Sequence, residues 1–103
     1  MKRLHPTDRK PLLVDAALNA ALAHGYRRMT RDHIAAHASV SPGLVSLYLG
    51  TMVKLRRTVM REAIKRGCAE IVAEGLAERD PQALKAPDDL KDKAARLLTA
   101  PSR

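Results

Sequence analysis

The stretch that decides the fold is TRDHIAAHASVSPGLVSLYLG, residues 30–50, in which a Ser-Val-Ser-Pro-Gly cluster separates two short apolar runs. Thr30 is a good N-cap, because its hydroxyl accepts a hydrogen bond from a first-turn amide, and it predicts a helix over residues 31–38. Ser41 and Pro42 form a second start signal, since serine caps a helix and proline suits its first position. The stretch therefore predicts two helices of about two turns each, joined by a turn of about three residues.

The flanking segments also have helical patterns. Alanine and leucine recur at steps of three and four residues from about Asp8 or Arg9 to His24, and Gly25 is placed to end that helix. The second helix of the opening stretch is expected over about residues 42–48, and Gly50 follows it.

An apolar stripe then continues from about Met52 to Arg79, which predicts a long helix 4. Within it, Ala63, Gly67, Ile71 and Gly75 recur every four residues, a spacing equally typical of close packing within one chain and of a dimer seam. Asp80-Pro81 is expected to cap a short turn through Leu84, and the acidic segment Ala86-Pro87-Asp88-Asp89 opens a last amphipathic helix. We therefore expect an all-α fold, with a three-helix helix-turn-helix domain over residues 1–51 and a helical dimerisation segment over residues 52–103.

The charge of the chain is unevenly distributed. Nineteen Lys and Arg against eleven Asp and Glu give a formal net charge of +8. Residues 1–66 contain 13 basic and 4 acidic residues, whereas residues 67–103 contain 6 basic and 7 acidic residues. The positive field belongs to the segment that contains the two short helices, which favours a polyanionic partner such as DNA.

The segment LLVDAALNAALAHGYRRMTRDHIAAHASVSPGLVSLYLGTMVKLR resembles the DNA-binding domain of the TetR family of bacterial transcriptional repressors. The matching features, in order, are an alanine-rich first helix, Gly25-Tyr26, Thr30, Ile34-Ala35, Val40-Ser41-Pro42-Gly43, Gly50-Thr51 and Leu55. The sequence differs from the usual family pattern at three places. The usual aromatic run is replaced by Ser46-Leu47-Tyr48-Leu49, in which only Tyr48 is aromatic. Met52 stands where a phosphate-binding lysine is expected, and Ser39 stands where the turn glycine is expected.

The resemblance implies that helix 2 contacts phosphates and that helix 3 enters the major groove with its N-terminal end forward. Basic residues that flank the two helices are additional candidates for phosphate contact. The candidate DNA-binding residues are Arg27, Arg28, Thr30, Arg31, Ser41, Pro42, Gly43, Leu44, Ser46, Leu47, Tyr48, Thr51 and Lys54.

Family members also have a large C-terminal domain that binds an inducer and dimerises, whereas only about 50 residues follow helix 3 here. Two modest helices do not easily enclose the roughly 300–1,000 Å³ that a small ligand occupies. We therefore predict a homodimeric repressor that binds a palindromic operator without a small-molecule inducer and dimerises through helix 4 and the C-terminal helix. The alternatives are a helical protein–protein adaptor and a nonspecific nucleoid-type DNA-binding protein.

Other classes of function have little support in the sequence. No nucleophile elbow, phosphate-binding loop or paired-carboxylate motif is present, so we expect no enzyme activity, no cofactor and no metal. His33 and His37 are too few to form a metal site by themselves. The chain has no apolar run near the roughly 18 residues of a membrane span and no signal-peptide pattern, and Cys68 is alone, so we expect a cytoplasmic protein.

Overall fold

The computed structural model describes residues 6–99, with side chains from Arg9 onward. Within that range every regular element is an α-helix, which confirms the predicted all-α class. No helix in this part of the chain has the length and apolar character needed to cross a membrane. The helices are α1 (Pro6–His24), α2 (Arg31–Ala38), α3 (Pro42–Leu49), α4 (Met52–Lys65), α5 (Ala69–Ala77), α6 (Pro81–Leu84) and α7 (Asp88–Thr99).

The chain divides into two compact units, one up to Val59 and one from Met60. In the first unit, α1, α2 and α3 pack on one another. Ten Lys and Arg against three Asp give residues 1–59 a net charge of +7, whereas nine basic and eight acidic residues leave residues 60–103 at +1. The core of the first unit includes the fully buried side chains of Tyr26, Met29, Ile34, Val45 and Leu55.

Helix α2 has the predicted bounds, and side-chain hydrogen bonds explain where it begins. The hydroxyl of Thr30 accepts from the His33 N–H at 3.2 Å, and His33 Nδ1 accepts from the Thr30 N–H at 3.1 Å. This reciprocal capping box satisfies two backbone donors at once. At its other end the helix closes on Ser39, which adopts the left-handed conformation with φ 57°.

Helix α3 begins at the predicted residue. The Ser41 hydroxyl accepts from the Leu44 N–H at 3.3 Å, and Pro42 occupies the first turn. The helix extends to Leu49, one residue past its expected end, and Gly50 follows with φ 77°. The two short helices and the tight turn between them thus follow from local chemistry.

The prediction of one long helix from Met52 to Arg79 is wrong. The helix ends at Lys65, and α5 begins at Ala69. Gly67 has φ 69°, its N–H donates to the Ile64 carbonyl at 3.1 Å, and the Cys68 N–H donates to the Ala63 carbonyl at 2.8 Å. These are the two bonds of a Schellman motif, which ends a helix where a glycine can adopt the left-handed conformation.

The second unit is built mainly by the packing of α5 on α7, with Ile71 and Val72 buried on α5 and Leu90 and Ala94 buried on α7. Gly75 allows a close approach here, because a Cβ at this position would lie 2.8 Å from the Ala83 Cβ. The four-residue spacing therefore has an intrachain explanation at Gly75. The predicted Asp80 cap is confirmed, since its carboxylate accepts from two α6 amides, at 2.8 and 3.3 Å.

Candidate nucleic-acid interface

A basic cleft lies in the first unit beside the first turns of α2 and α3. We call it the arginine cleft, and its volume is about 510 Å³. Four arginines contribute to its walls, whereas Asp32 is its one acidic lining residue. Its lining residues are Arg27, Arg28, Met29, Thr30, Arg31, Asp32, Pro42, Ser46, Met52 and Arg56.

Two hydrogen bonds attach the turn before α2 to α4. The buried Tyr26 hydroxyl donates to the Arg56 carbonyl at 3.1 Å. The Arg56 guanidinium donates a second hydrogen bond, to the Arg27 carbonyl, at 3.1 Å. The turn that carries Arg27 and Arg28 is therefore held by bonds between residues about 30 positions apart in the sequence.

The cleft also contains guanidinium groups whose hydrogen bonding is incomplete. The Nε atoms of Arg31 and Arg56 are buried and have no acceptor among the described residues. Buried polar atoms in proteins normally have a partner. Guanidinium groups match phosphate geometry well, so the four arginines that line the cleft are suited to bind an anion.

The first turn of α3 projects beside the cleft. Ser41, Pro42 and Gly43 are exposed, and Gly43 lies inside the helix without a left-handed φ. A Cβ built on Gly43 would meet only the Ser41 Oγ, at 3.9 Å. The described part of the fold therefore has room for a larger residue at Gly43.

The remaining predicted residues of α3 point in different directions. Ser46 lines the arginine cleft with Pro42, and Leu47 is 74% exposed. Tyr48 is half-buried. Leu44 is also half-buried, but it lines a separate groove formed by α1 and the turn before α3, not the arginine cleft. The structure thus brings Ser46 to the basic site and places Leu44 elsewhere.

The start of α4 contributes a cap and a charge. Thr51 is exposed, and its hydroxyl accepts from the Lys54 N–H at 3.3 Å. Lys54 is exposed, and neither residue lines the arginine cleft. Met52, where the resemblance to the TetR family led us to expect a phosphate-binding lysine, does line it. The cationic contribution of α4 to the cleft comes instead from Arg56.

A cluster of three histidines connects α1 and α2. The His24 ring stacks on the His33 ring with centroids 3.7 Å apart, and the His37 ring meets it edge-on at 5.9 Å. His24 is exposed as a whole residue, and its ring is partly desolvated. This desolvation and the nearby His33 and His37 lower the pKa of His24 below its ordinary value of 6.5.

Sequence reasoning did not identify His24 as a partner of His33, since the contact depends on how α1 and α2 pack. It also did not place Asp32 in the cleft. For Met52 there were two signals, its position in the TetR-like pattern and its helical spacing from Arg56, which puts both residues on one face. Among the described residues, no three His, Cys, Asp or Glu side chains are arranged to hold a metal ion.

We compared the chain with models of known protein families, with curated proteins and with solved structures, and none of the three comparisons found a match.

Proposed function

We propose that the protein is a sequence-specific DNA-binding transcriptional regulator, a homodimeric repressor that binds a palindromic operator through a helix-turn-helix formed by α2 and α3. The observation that carries this proposal is the arginine cleft beside the N-terminus of α3. Its four arginines suit a phosphate backbone. The TetR-like order of motifs supports the same function.

The arrangement matches what a major groove requires. When the first turn of α3 faces base edges, the start of α2 and the preceding turn lie near the flanking phosphates. Arg27, Arg28 and Arg31 would then contact phosphate oxygens. The N-terminus of α2, which Thr30 caps, would add the favourable interaction of a helix dipole with the phosphates. Gly43 would allow the backbone of α3 to approach the DNA closely, which gives this residue a role that the fold itself does not require.

Dimerisation is proposed for the second unit. Leu84, Leu97 and Leu98 are each about half exposed, at 50%, 48% and 49%. The net charge of residues 60–103 is only +1, so two copies of this unit meet with little repulsion. Two half-sites would then combine their binding free energies on a two-fold symmetric operator. No small-molecule inducer is part of this proposal.

The proposal is tested by selecting bound fragments from a random DNA library and measuring affinity for the enriched site by fluorescence anisotropy. We expect a palindromic consensus and an affinity that falls steeply as salt rises. Arg31→Ala should weaken binding to every sequence and reduce the salt slope by about one for each phosphate that Arg31 neutralises. The matched control is Arg79→Ala, which removes an exposed arginine in the turn after α5 and should leave the affinity and the slope unchanged.

The other outcomes separate the alternatives. Equal affinity for the enriched site and for scrambled DNA would indicate a nonspecific nucleoid-type protein. A folded protein that binds no DNA would favour the adaptor hypothesis, in which the exposed leucines of the second unit contact another protein. A monomer at the concentration that saturates the operator, measured by sedimentation, would contradict the dimer.

A further inference from the structure

The exposed face of α3 is centred on Leu47. The buried residues of this helix are Val45 and Leu49. At about 100° per residue, Leu47 lies about 180° from the midpoint of those two side chains. Gly43, one turn earlier, lies about 40° from Leu47 on the same face. Leu47 therefore projects directly away from the core, and with 74% of its surface exposed it is the most exposed large hydrophobic side chain of the described residues.

The same face is poor in groups that read bases by hydrogen bonds. The sequence of α3, PGLVSLYL, contains no charged side chain and no Asn or Gln. The usual bidentate pairings of arginine with guanine and of Asn or Gln with adenine are therefore not possible from this helix. Ser46 borders the arginine cleft, and Tyr48 is half-buried on the other side of the helix.

An exposed leucine at this position has one suitable partner in the major groove. Of the groups that the base pairs present there, the thymine C5-methyl is the apolar one. We propose that Leu47 is a specificity-determining residue that recognises thymine by packing on this methyl group. The inference rests on the proposed function and deepens it, since it names a base that each half-site must contain. The missing Cβ of Gly43 leaves room for that contact one turn away.

The test replaces each thymine of the selected operator, one at a time, by deoxyuridine, which lacks only the methyl group. For the wild-type protein we expect one thymine position per half-site at which affinity falls about fourfold, as for losing one buried methyl group. Replacement in both half-sites should weaken binding about 15-fold, because the free energies add. The protein should bind an operator with 5-methylcytosine at the same position more tightly than one with cytosine, by a similar factor.

Leu47→Ala identifies the residue that senses the methyl group. Because this side chain is exposed, the variant should keep its circular dichroism spectrum and its melting temperature, and it should bind the thymine and deoxyuridine operators equally. Leu22→Ala, which truncates an exposed leucine of α1, is the matched control and should keep the full difference.

Two results would overturn the inference while leaving the proposed function in place. The first is that replacing thymine by deoxyuridine changes the affinity at no position of the operator. The second is that the loss of affinity with deoxyuridine is the same in Leu47→Ala as in the wild type, in which case the methyl group acts through DNA shape. If no sequence is enriched in the selection, the proposed function fails and this inference fails with it.

Discussion

On the proposed function, a substitution at Gly43 should preserve or raise protein stability and lower DNA affinity. It lies in the first turn of α3, is exposed, and has space for a Cβ whose nearest neighbour would be the Ser41 Oγ at 3.9 Å. That distance is an ordinary van der Waals contact. Alanine is favoured over glycine inside a helix by up to about 1 kcal/mol. Gly43→Ala should therefore leave the free energy of unfolding unchanged or raise it by up to about 1 kcal/mol.

The same substitution should weaken DNA binding. If the α3 backbone lies at contact distance from the base edges, an added methyl group overpacks that contact, which typically costs about 1–3 kcal/mol. Since 1.4 kcal/mol corresponds to a tenfold change, the expected loss of affinity is at least about fivefold for each subunit. Chemical denaturation gives the stability, and fluorescence anisotropy on the selected operator gives the affinity.

Gly75→Ala is the reciprocal control. A Cβ at Gly75 would collide with Met60 and would lie 2.8 Å from the Ala83 Cβ, so this variant should lose stability despite its better helix propensity. Its folded fraction should keep the wild-type affinity. A Gly43→Ala protein that is as stable as the wild type and binds the operator equally well would refute the reasoning, because no close approach of DNA at this position would then exist.

Three further substitutions test the framework of the site. Tyr26→Phe removes the donor to the Arg56 carbonyl and should lower the free energy of unfolding by about 0.5–1.5 kcal/mol, measured by urea denaturation, whereas an unchanged midpoint would deny that this bond stabilises the turn. Ser39→Gly relieves a left-handed serine and should raise the free energy of unfolding by up to about 1 kcal/mol, so a decrease on the same assay would contradict the expected relief of strain. The pKa of His24 is lower in the folded chain than in the unfolded chain, so the free energy of unfolding should fall as pH decreases below about 6.5. His24→Gln should reduce this pH dependence between pH 7.5 and 5.5. If the wild type and the variant lose stability equally over this range, His24 is not its source.

The first residues of α2 and α3 were predictable because they are fixed locally. Thr30 and Ser41 each bond to an amide three residues later, and Pro42 fits a first helical turn. Chemistry of this kind is contained within four or five residues, so it does not depend on the rest of the fold.

The break between α4 and α5 was missed because the apolar stripe continues across it. A single glycine within a helix costs only about 1 kcal/mol, so Gly67 alone did not exclude a continuous helix. What decides the outcome is the pair of bonds from Gly67 and Cys68 back to α4, together with the burial of Ile71. Tertiary burial selects between a continuous and an interrupted helix, whose local free energies are similar. The periodicity of the apolar residues does not distinguish the two.

The sequence could suggest residues for the candidate site, but it could not give their arrangement. Arg27, Arg28 and Arg31 were identified by charge and resemblance, and they meet at one cleft. The direction of Leu44 and the stacking of His24 on His33 depend on helix packing angles, which short-range patterns do not specify.

The bonds that join Tyr26, Arg56 and Arg27 have a thermodynamic consequence. Because the turn beneath the arginines is already attached to α4, its backbone entropy is lost during folding and not on association. On the proposed function, DNA would meet a preorganised surface and only the outer arginine side chains would become ordered. Calorimetry should therefore give a heat-capacity change close to that expected from the apolar area buried at the interface, without the larger change that accompanies coupled folding. The turn that carries Arg27 and Arg28 would then bind DNA without a separate folding step.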